Sequence, residues 1–351
     1  MRRYGYAIGA LLGLLLPALV IVLIAARAEE MPRVVSVWPL LAALGTSVVT
    51  WWLQGLIYAL LTRPQLKSLR VGDMFCVDMA GIFVALISPI RGAELPYKVY
   101  LLKRLGLSAG EGSNVVVTRV LLDVAVLTPA ALVGLTLYFN HPKLQDSNLL
   151  LVGLAITATL AALILLARTR IWRGPGLTTS CPGGSGWQAK ISNFFADMQR
   201  SFASFWRQGY RTILVYAALT IVYWAFRLFA GPLALMAVGW SGDWIPVVVA
   251  QLLLVSFVLP LAPTPGGSGA RELGLVALLS GYVPEGQLLS GLIIYTALSY
   301  WLPLIVGAFF AGRQLWEGIA RYGENKRMRT RETTETPRPT AAALVRPYNG
   351  E

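Results

Sequence analysis

The chain has 351 residues, of which 56% are hydrophobic and only 13% charged, and its mean hydropathy is +0.62. A soluble domain carries roughly 25% charged residues, so a water-soluble globule is excluded. Its net charge of +13 does not indicate nucleic acid, because the basic residues lie between apolar blocks and in a tail, and Cys76, Cys181 and His141 leave no material for a disulfide frame, a metal centre or His-based catalysis.

In chain order, apolar blocks fall at about 5–26, 34–61, 74–90, 115–139, 148–167, 211–238, 246–262 and 287–311, with a shorter stretch at 271–283. A helix needs roughly 20 residues to cross a hydrocarbon core, and most of these blocks have that length. Arg2 and Arg3 precede the first block, and Ala26-Arg27-Ala28 has the form of a cleavage site. The apolar run is longer than the ~7–15 residues of a signal-peptide core, so a retained first span is expected. The block at 74–90 is short, contains Asp78 and ends in Ser88-Pro89-Ile90-Arg91-Gly92. The block at 246–262 meets Pro260, Pro263 and Pro265 and then Gly266-Gly267-Ser268-Gly269. Proline and glycine at this density end a helix. The linker 168–210 is basic, and its aromatic residues Phe194, Phe195, Phe202, Phe205 and Trp206 alternate with Lys190, Arg200 and Arg207. That pattern predicts an interfacial helix on anionic lipid. The polar tail after Tyr322 is predicted to be disordered.

Lys and Arg concentrate in the N-terminus, in 62–114, in 168–211 and after Gly312, which places all four on the cytoplasmic side. The blocks at 115–139 and 148–167 go out and back, so the basic stretch before them must already be inside. The region 74–104 then has to enter and leave from the cytoplasmic face. By the same parity, 246–284 has to enter and leave from the outer face. The expected fold is therefore all-α and polytopic, with six full spans and two oppositely oriented re-entrant hairpins. Residues 1–147 form a first repeat with spans 5–26, 34–61 and 115–139. Residues 148–315 form an inverted second repeat with spans 148–167, 211–238 and 287–311, and 316–351 form a cytoplasmic tail. The two hairpin breaks also look alike, Arg91-Gly92-Ala93-Glu94-Leu95 against Gly269-Ala270-Arg271-Glu272-Leu273. Inverted repeats with broken helices in equivalent places are a transporter pattern. Irregular backbone at membrane depth must be buried or line a wet cavity, so Pro89, Gly92, Pro263, Pro265, Gly266, Gly267 and Gly269 are expected to face inward. Half-helix N-termini at such breaks favour an anion.

Ionisable residues at membrane depth supply the candidate site. Arg119 and Asp123 are spaced i, i+4 and can pair. They are either a self-neutralising structural pair or an arginine held for a phosphate. Glu94 and Glu272 sit just past the breaks beside Arg91 and Arg271. They can cap the following half-helix, carry protons, or do both. Arg227 lies inside an apolar block and is expected to meet Glu272, Asp78 or a lipid headgroup, and Asp78 invites the same argument. Trp51, Trp52, Trp224 and Trp301 are read as interfacial belts or packing.

Pro263-Thr264-Pro265-Gly266-Gly267-Ser268-Gly269-Ala270-Arg271-Glu272 resembles the P-T-P-G-G-x-G-x-R-E signature of flippase-like proteins related to the transmembrane region of lysylphosphatidylglycerol synthase. Thr118–Asp123 is similar to that family's E-R-x-x-D-type segment, with Thr118 where an acid is common and a gap of four between Arg and Asp. Ser88–Glu94 is similar to its P-x-R-x-G-E-type loop, and the resemblance spans residues 5–315. It implies translocation of a lipid, such as an aminoacylated phospholipid or a polyprenyl-phosphate-linked sugar. Only the polar tail follows the last span, so the aminoacyl-transfer chemistry of the synthase is not expected. The expectation is a non-enzymatic lipid flippase of a bacterial inner membrane, both termini cytoplasmic, without cofactor, metal or nucleic-acid partner. The headgroup would be held by Arg119, Arg227, Arg271 and Arg91, with Glu94, Asp123, Glu272 and Asp78 in support. The alternatives are an accessory subunit working with a lipid-modifying enzyme, and a membrane-embedded lipid-phosphate transferase. The oligomeric state is not encoded in any of these features.

Overall fold

The computed structural model describes residues 34–66, 69–88, 91–140, 210–262 and 264–313, and every regular element among them is helical. In chain order these are α1 (Val37–Thr62), α2 (Val71–Ile87), α3 (Glu94–Arg104) and α4 (Ala109–Asn140). They are followed by α5 (Tyr210–Ala237), α6 (Trp244–Leu253), α7 (Ala270–Leu279) and α8 (Glu285–Arg313). The expected spans at 5–26 and 148–167, the interfacial linker, the polar tail, Pro89 and Pro263 lie outside the described residues.

Helices α1, α4, α5 and α8 are long and apolar enough to cross a membrane. The protein is an integral membrane protein, and its large apolar side chains also face outward: Val133 is 59% exposed and Phe309 68%. Helices α1 and α5 run antiparallel. The amides of Val35 and Ser36 donate to the Ala237 carbonyl at 2.8 and 3.1 Å, and at the opposite end the Tyr216 hydroxyl donates to the Leu60 carbonyl at 3.1 Å.

The remaining helices are short and form two broken units. In the first, α2 stops at Ile87, and a 3-10 turn at Arg91–Ala93 leads directly into α3. In the second, α6 passes into a π segment at Leu254–Val258 and 3-10 turns at Leu259–Leu261 and Pro265–Gly267 before α7 begins. The glycines of this second break are needed for their backbone. Gly266, Gly267 and Gly269 have φ of 61°, 72° and 79°, a region costly for residues with a Cβ. Gly92 is not among the positive-φ glycines, so the two breaks are built differently despite their similar residues.

Packing gives each unit its own apolar core. One cluster gathers Ile57, Met74, Val77, Leu102, Val116 and Trp224, drawn from α1 to α5. The other gathers Ala131, Leu235, Val249, Leu254, Leu278 and Leu292 around α6 and α7. A third, small cluster of Leu86, Tyr300 and Leu304 joins them where the breaks meet.

Helix α5 contains Pro232, which has no N–H to donate to the Leu228 carbonyl four residues back. The Gln251 side-chain amide of α6 donates to that carbonyl at 2.9 Å. Gly231 makes the approach possible, because any Cβ there would collide with the Gln251 amide. A proline that would leave an acceptor bare in an apolar medium thus becomes a docking point for α6.

Candidate functional site

Three buried ion clusters and one open arginine line the polar interior. The first cluster ties α2 to α3. Lys98 is 1% exposed, and its Nζ donates to Asp78 Oδ1 and Glu94 Oε1, both at 2.7 Å. The ammonium also lies 5.1 Å from the Tyr58 ring centre. Gly81 leaves room for the lysine stem, since a Cβ there would collide with it. The second Asp78 oxygen, Oδ2, is buried without a hydrogen-bond partner. A buried charge is tolerated when paired, and here one lysine serves two carboxylates. Lys98 counts by sequence as one more positive charge of the basic segment 62–114. In three dimensions it belongs to the interior.

The second cluster centres on Arg119 of α4, also 1% exposed. Its Nη1 donates to Asp123 Oδ1 at 2.6 Å, so the i, i+4 spacing gives the expected pair. Its Nη2 and Nε both reach Gln54 Oε1 of α1, at 2.7 and 3.3 Å. The Trp224 indole N–H of α5 donates to the same Asp123 oxygen at 2.7 Å. Trp224 therefore has a polar role beyond the packing expected of it. The Arg119 guanidinium faces the Tyr223 ring at 5.1 Å.

The third cluster is at the start of α7. Glu272 Oε2 accepts the Gly269 backbone N–H at 2.7 Å, which is the helix cap its position suggested. Its Oε1 accepts Arg271 Nη2 at 2.7 Å, Arg271 Nε at 3.1 Å and the Thr296 hydroxyl of α8 at 3.1 Å. The Arg271 guanidinium lies 5.7 Å from the Tyr295 ring and 5.8 Å from the Tyr300 ring.

Arg227 differs from the other basic residues. It is half-buried on α5 and lines a small, partly open cavity between α1, α5 and α8. Among the described residues it has no ion pair, and the two carboxylates expected for it are taken: Asp78 by Lys98 and Glu272 by Arg271. The cavity wall from α1 carries Thr46, Ser47 and Thr50. Their hydroxyls donate to α1 carbonyls at 2.8, 3.0 and 2.7 Å. Across from them are Tyr295, Leu298 and Ser299 of α8, and the Ser299 hydroxyl is buried without a partner. This stretch of α8 is a π segment, Ala297–Trp301. Single π turns often occur at functional sites.

The two breaks touch each other. The Tyr300 hydroxyl of α8 donates to the Leu86 carbonyl at the end of α2 at 3.0 Å. Gly266 packs into the same spot, where an added Cβ would lie 2.7 Å from Leu86 and 2.9 Å from Tyr300. Of the expected headgroup ligands, Arg119 and Arg271 are thus already held by carboxylates, and Arg227 has no carboxylate among the described residues. Arg91 begins the 3-10 turn before α3, and its side chain lies outside the described atoms. Gln54, Lys98, Thr296 and Tyr300 also belong to the polar interior and are not among the candidates the sequence offers. A signal existed for Lys98 alone, its i, i+4 spacing from Glu94.

The family described as the lysylphosphatidylglycerol synthase TM region matches residues 6–307. No curated protein matches the chain.

Proposed function

The chain belongs to the family of the lysylphosphatidylglycerol synthase TM region, and from that premise we propose that it moves a lipid with an anionic headgroup across a bacterial-type inner membrane. The observation that carries this reading is Arg227. It is a half-buried guanidinium on an apolar membrane helix, lining a cavity, with no carboxylate on it among the described residues. A cation at such depth is costly unless it meets an anion or a wet cavity. The phosphate of an anionic phospholipid or of a polyprenyl-phosphate-linked lipid meets that need, while its apolar chains stay in the bilayer. Arg119, Arg271 and Arg91 add to the positive field around the headgroup. Asp123, Glu272, Asp78 and Glu94 orient the basic groups or exchange protons. The protein acts as a carrier rather than an enzyme.

In this reading the two broken units are re-entrant hairpins entering from opposite faces, and both chain termini are cytoplasmic. The distribution of Lys and Arg supports that topology, as does the antiparallel pairing of α1 with α5. A cysteine placed at Arg104 is then labelled by an impermeant maleimide only from the cytoplasmic face. Labelling from the outer face would overturn the topology.

The function is tested by reconstituting the full chain into vesicles with fluorescent phospholipids and polyprenyl-phosphate lipids. Protein-containing vesicles should exchange at least one of these lipids between leaflets faster than empty vesicles. Arg227→Gln should slow that exchange about tenfold or more, the factor expected for losing a charge-assisted contact of roughly 1.5–3 kcal/mol. Equal rates in protein-containing and empty vesicles for every lipid tried would sink the proposal.

A further inference from the structure

Tyr295 has two neighbours that no other residue shares in the contacts described above. It lines the Arg227 cavity, and its ring faces the Arg271 guanidinium at 5.7 Å. Arg271 in turn stands 5.8 Å from the Tyr300 ring, and the Tyr300 hydroxyl holds the Leu86 carbonyl of the first broken unit. Cavity, second unit and first unit are therefore joined through one short run of α8. That run includes the π segment, and Ser299, the neighbour of Tyr300 in sequence, lines the cavity with a buried, unpartnered hydroxyl.

We infer that Tyr300 latches the two broken units together and that Tyr295 is the positioning residue that makes this latch respond to an anion in the Arg227 cavity. The inference rests on reading the cavity as a headgroup site. A ligand shifts a conformational equilibrium only through a difference in its interaction with the two states. An anion beside Arg227 supplies that difference, because it attracts the second guanidinium, Arg271, across the Tyr295 ring and against the hold of Glu272. Arg271 then leaves its place over Tyr300, a contact that depends on the face of the ring and on distance. The π segment gives α8 a turn that can repack, and the snug fit of Gly266 against Leu86 and Tyr300 makes the closed contact depend on Tyr300 staying in place. Opening the latch separates the breaks and gives the headgroup a path between them.

The test measures the distance between spin labels on the two units in the full chain, with Cys76 and Cys181 replaced by serine. Labels go at Gly92, where a side chain meets open space, and at Leu273, which is 65% exposed. In nanodiscs of phosphatidylcholine, Tyr300→Phe keeps the ring over Arg271 and loses the hydroxyl, so its distance distribution should shift to longer values than the parent's. Adding phosphatidylglycerol should lengthen the parent's distances, and Tyr295→Leu or Arg227→Gln should abolish that response. Gly266→Ala opens the same contact by bulk and should lengthen the distances in phosphatidylcholine alone. Overlapping distributions for the parent and Tyr300→Phe would overturn the latch, whatever the vesicle assay gives. A response to phosphatidylglycerol that survives Tyr295→Leu or Arg227→Gln would overturn the relay from the cavity. The first arm uses no anionic lipid, so the latch can stand even if lipid exchange is never seen.

Discussion

In the first broken unit a charge crosses from one helix to the other, with Lys98 of α3 reaching Asp78 of α2 over twenty residues of sequence. In the second unit the charges are neighbours, Arg271 and Glu272, and the carboxylate turns back onto the backbone of its own helix start. The first pair is a tie between half-helices. The second is a cap, and its unit is held by left-handed glycines and by Leu254 packed against Gly274. Two breaks of nearly the same composition thus reach a compact form by different physics, one by long-range charge and one by local backbone geometry. The first should be sensitive to charge removal and the second to changes in backbone shape.

Breaking this contrast is most direct at Lys98. Lys98→Met strands Asp78, which is fully buried, and should destabilise the protein by about 3–5 kcal/mol. Unfolding in mixed micelles would report the loss, and the double variant with Asp78→Asn should recover part of it. A Lys98→Met protein as stable as its parent would show that the tie is not what holds the unit.

A smaller effect sharpens the contrast from the other side. Glu272→Gln keeps an oxygen that can accept the Gly269 N–H and loses the charge facing Arg271, so a loss of about 1–3 kcal/mol is expected in the same unfolding measurement. If this variant proves more damaging than Lys98→Met, the second unit also depends on its charges and the distinction fails.

Local periodicity accounts for what could be read from the residues alone. The Arg119–Asp123 pair follows from four-residue spacing on a helix, and the Glu272 cap from its place after a glycine-rich break. Helices α1, α4, α5 and α8 follow from the length of their apolar runs. The partners brought in from elsewhere are not periodic with anything. Gln54 reaches Arg119 from another helix, Thr296 reaches Glu272, and Asp78 and Lys98 lie on different half-helices. Arg227 shows the same limit in reverse. Its place inside an apolar block is legible, but the expected carboxylates are held by other cations, which only the tertiary arrangement reveals.

The proline in α5 bears on how the protein assembles. During synthesis α5 leaves the ribosome before α6, and once it enters lipid the Leu228 carbonyl has no donor within its own helix. The Gln251 side chain, 23 residues later, fills that vacancy. The two helices therefore have a reason to stay together from the moment the second is made, with Asp243 at the turn fixing where it starts by accepting the Ile245 N–H. A chain that inserts α5 but fails to dock α6 leaves a polar backbone group without a partner in an apolar medium.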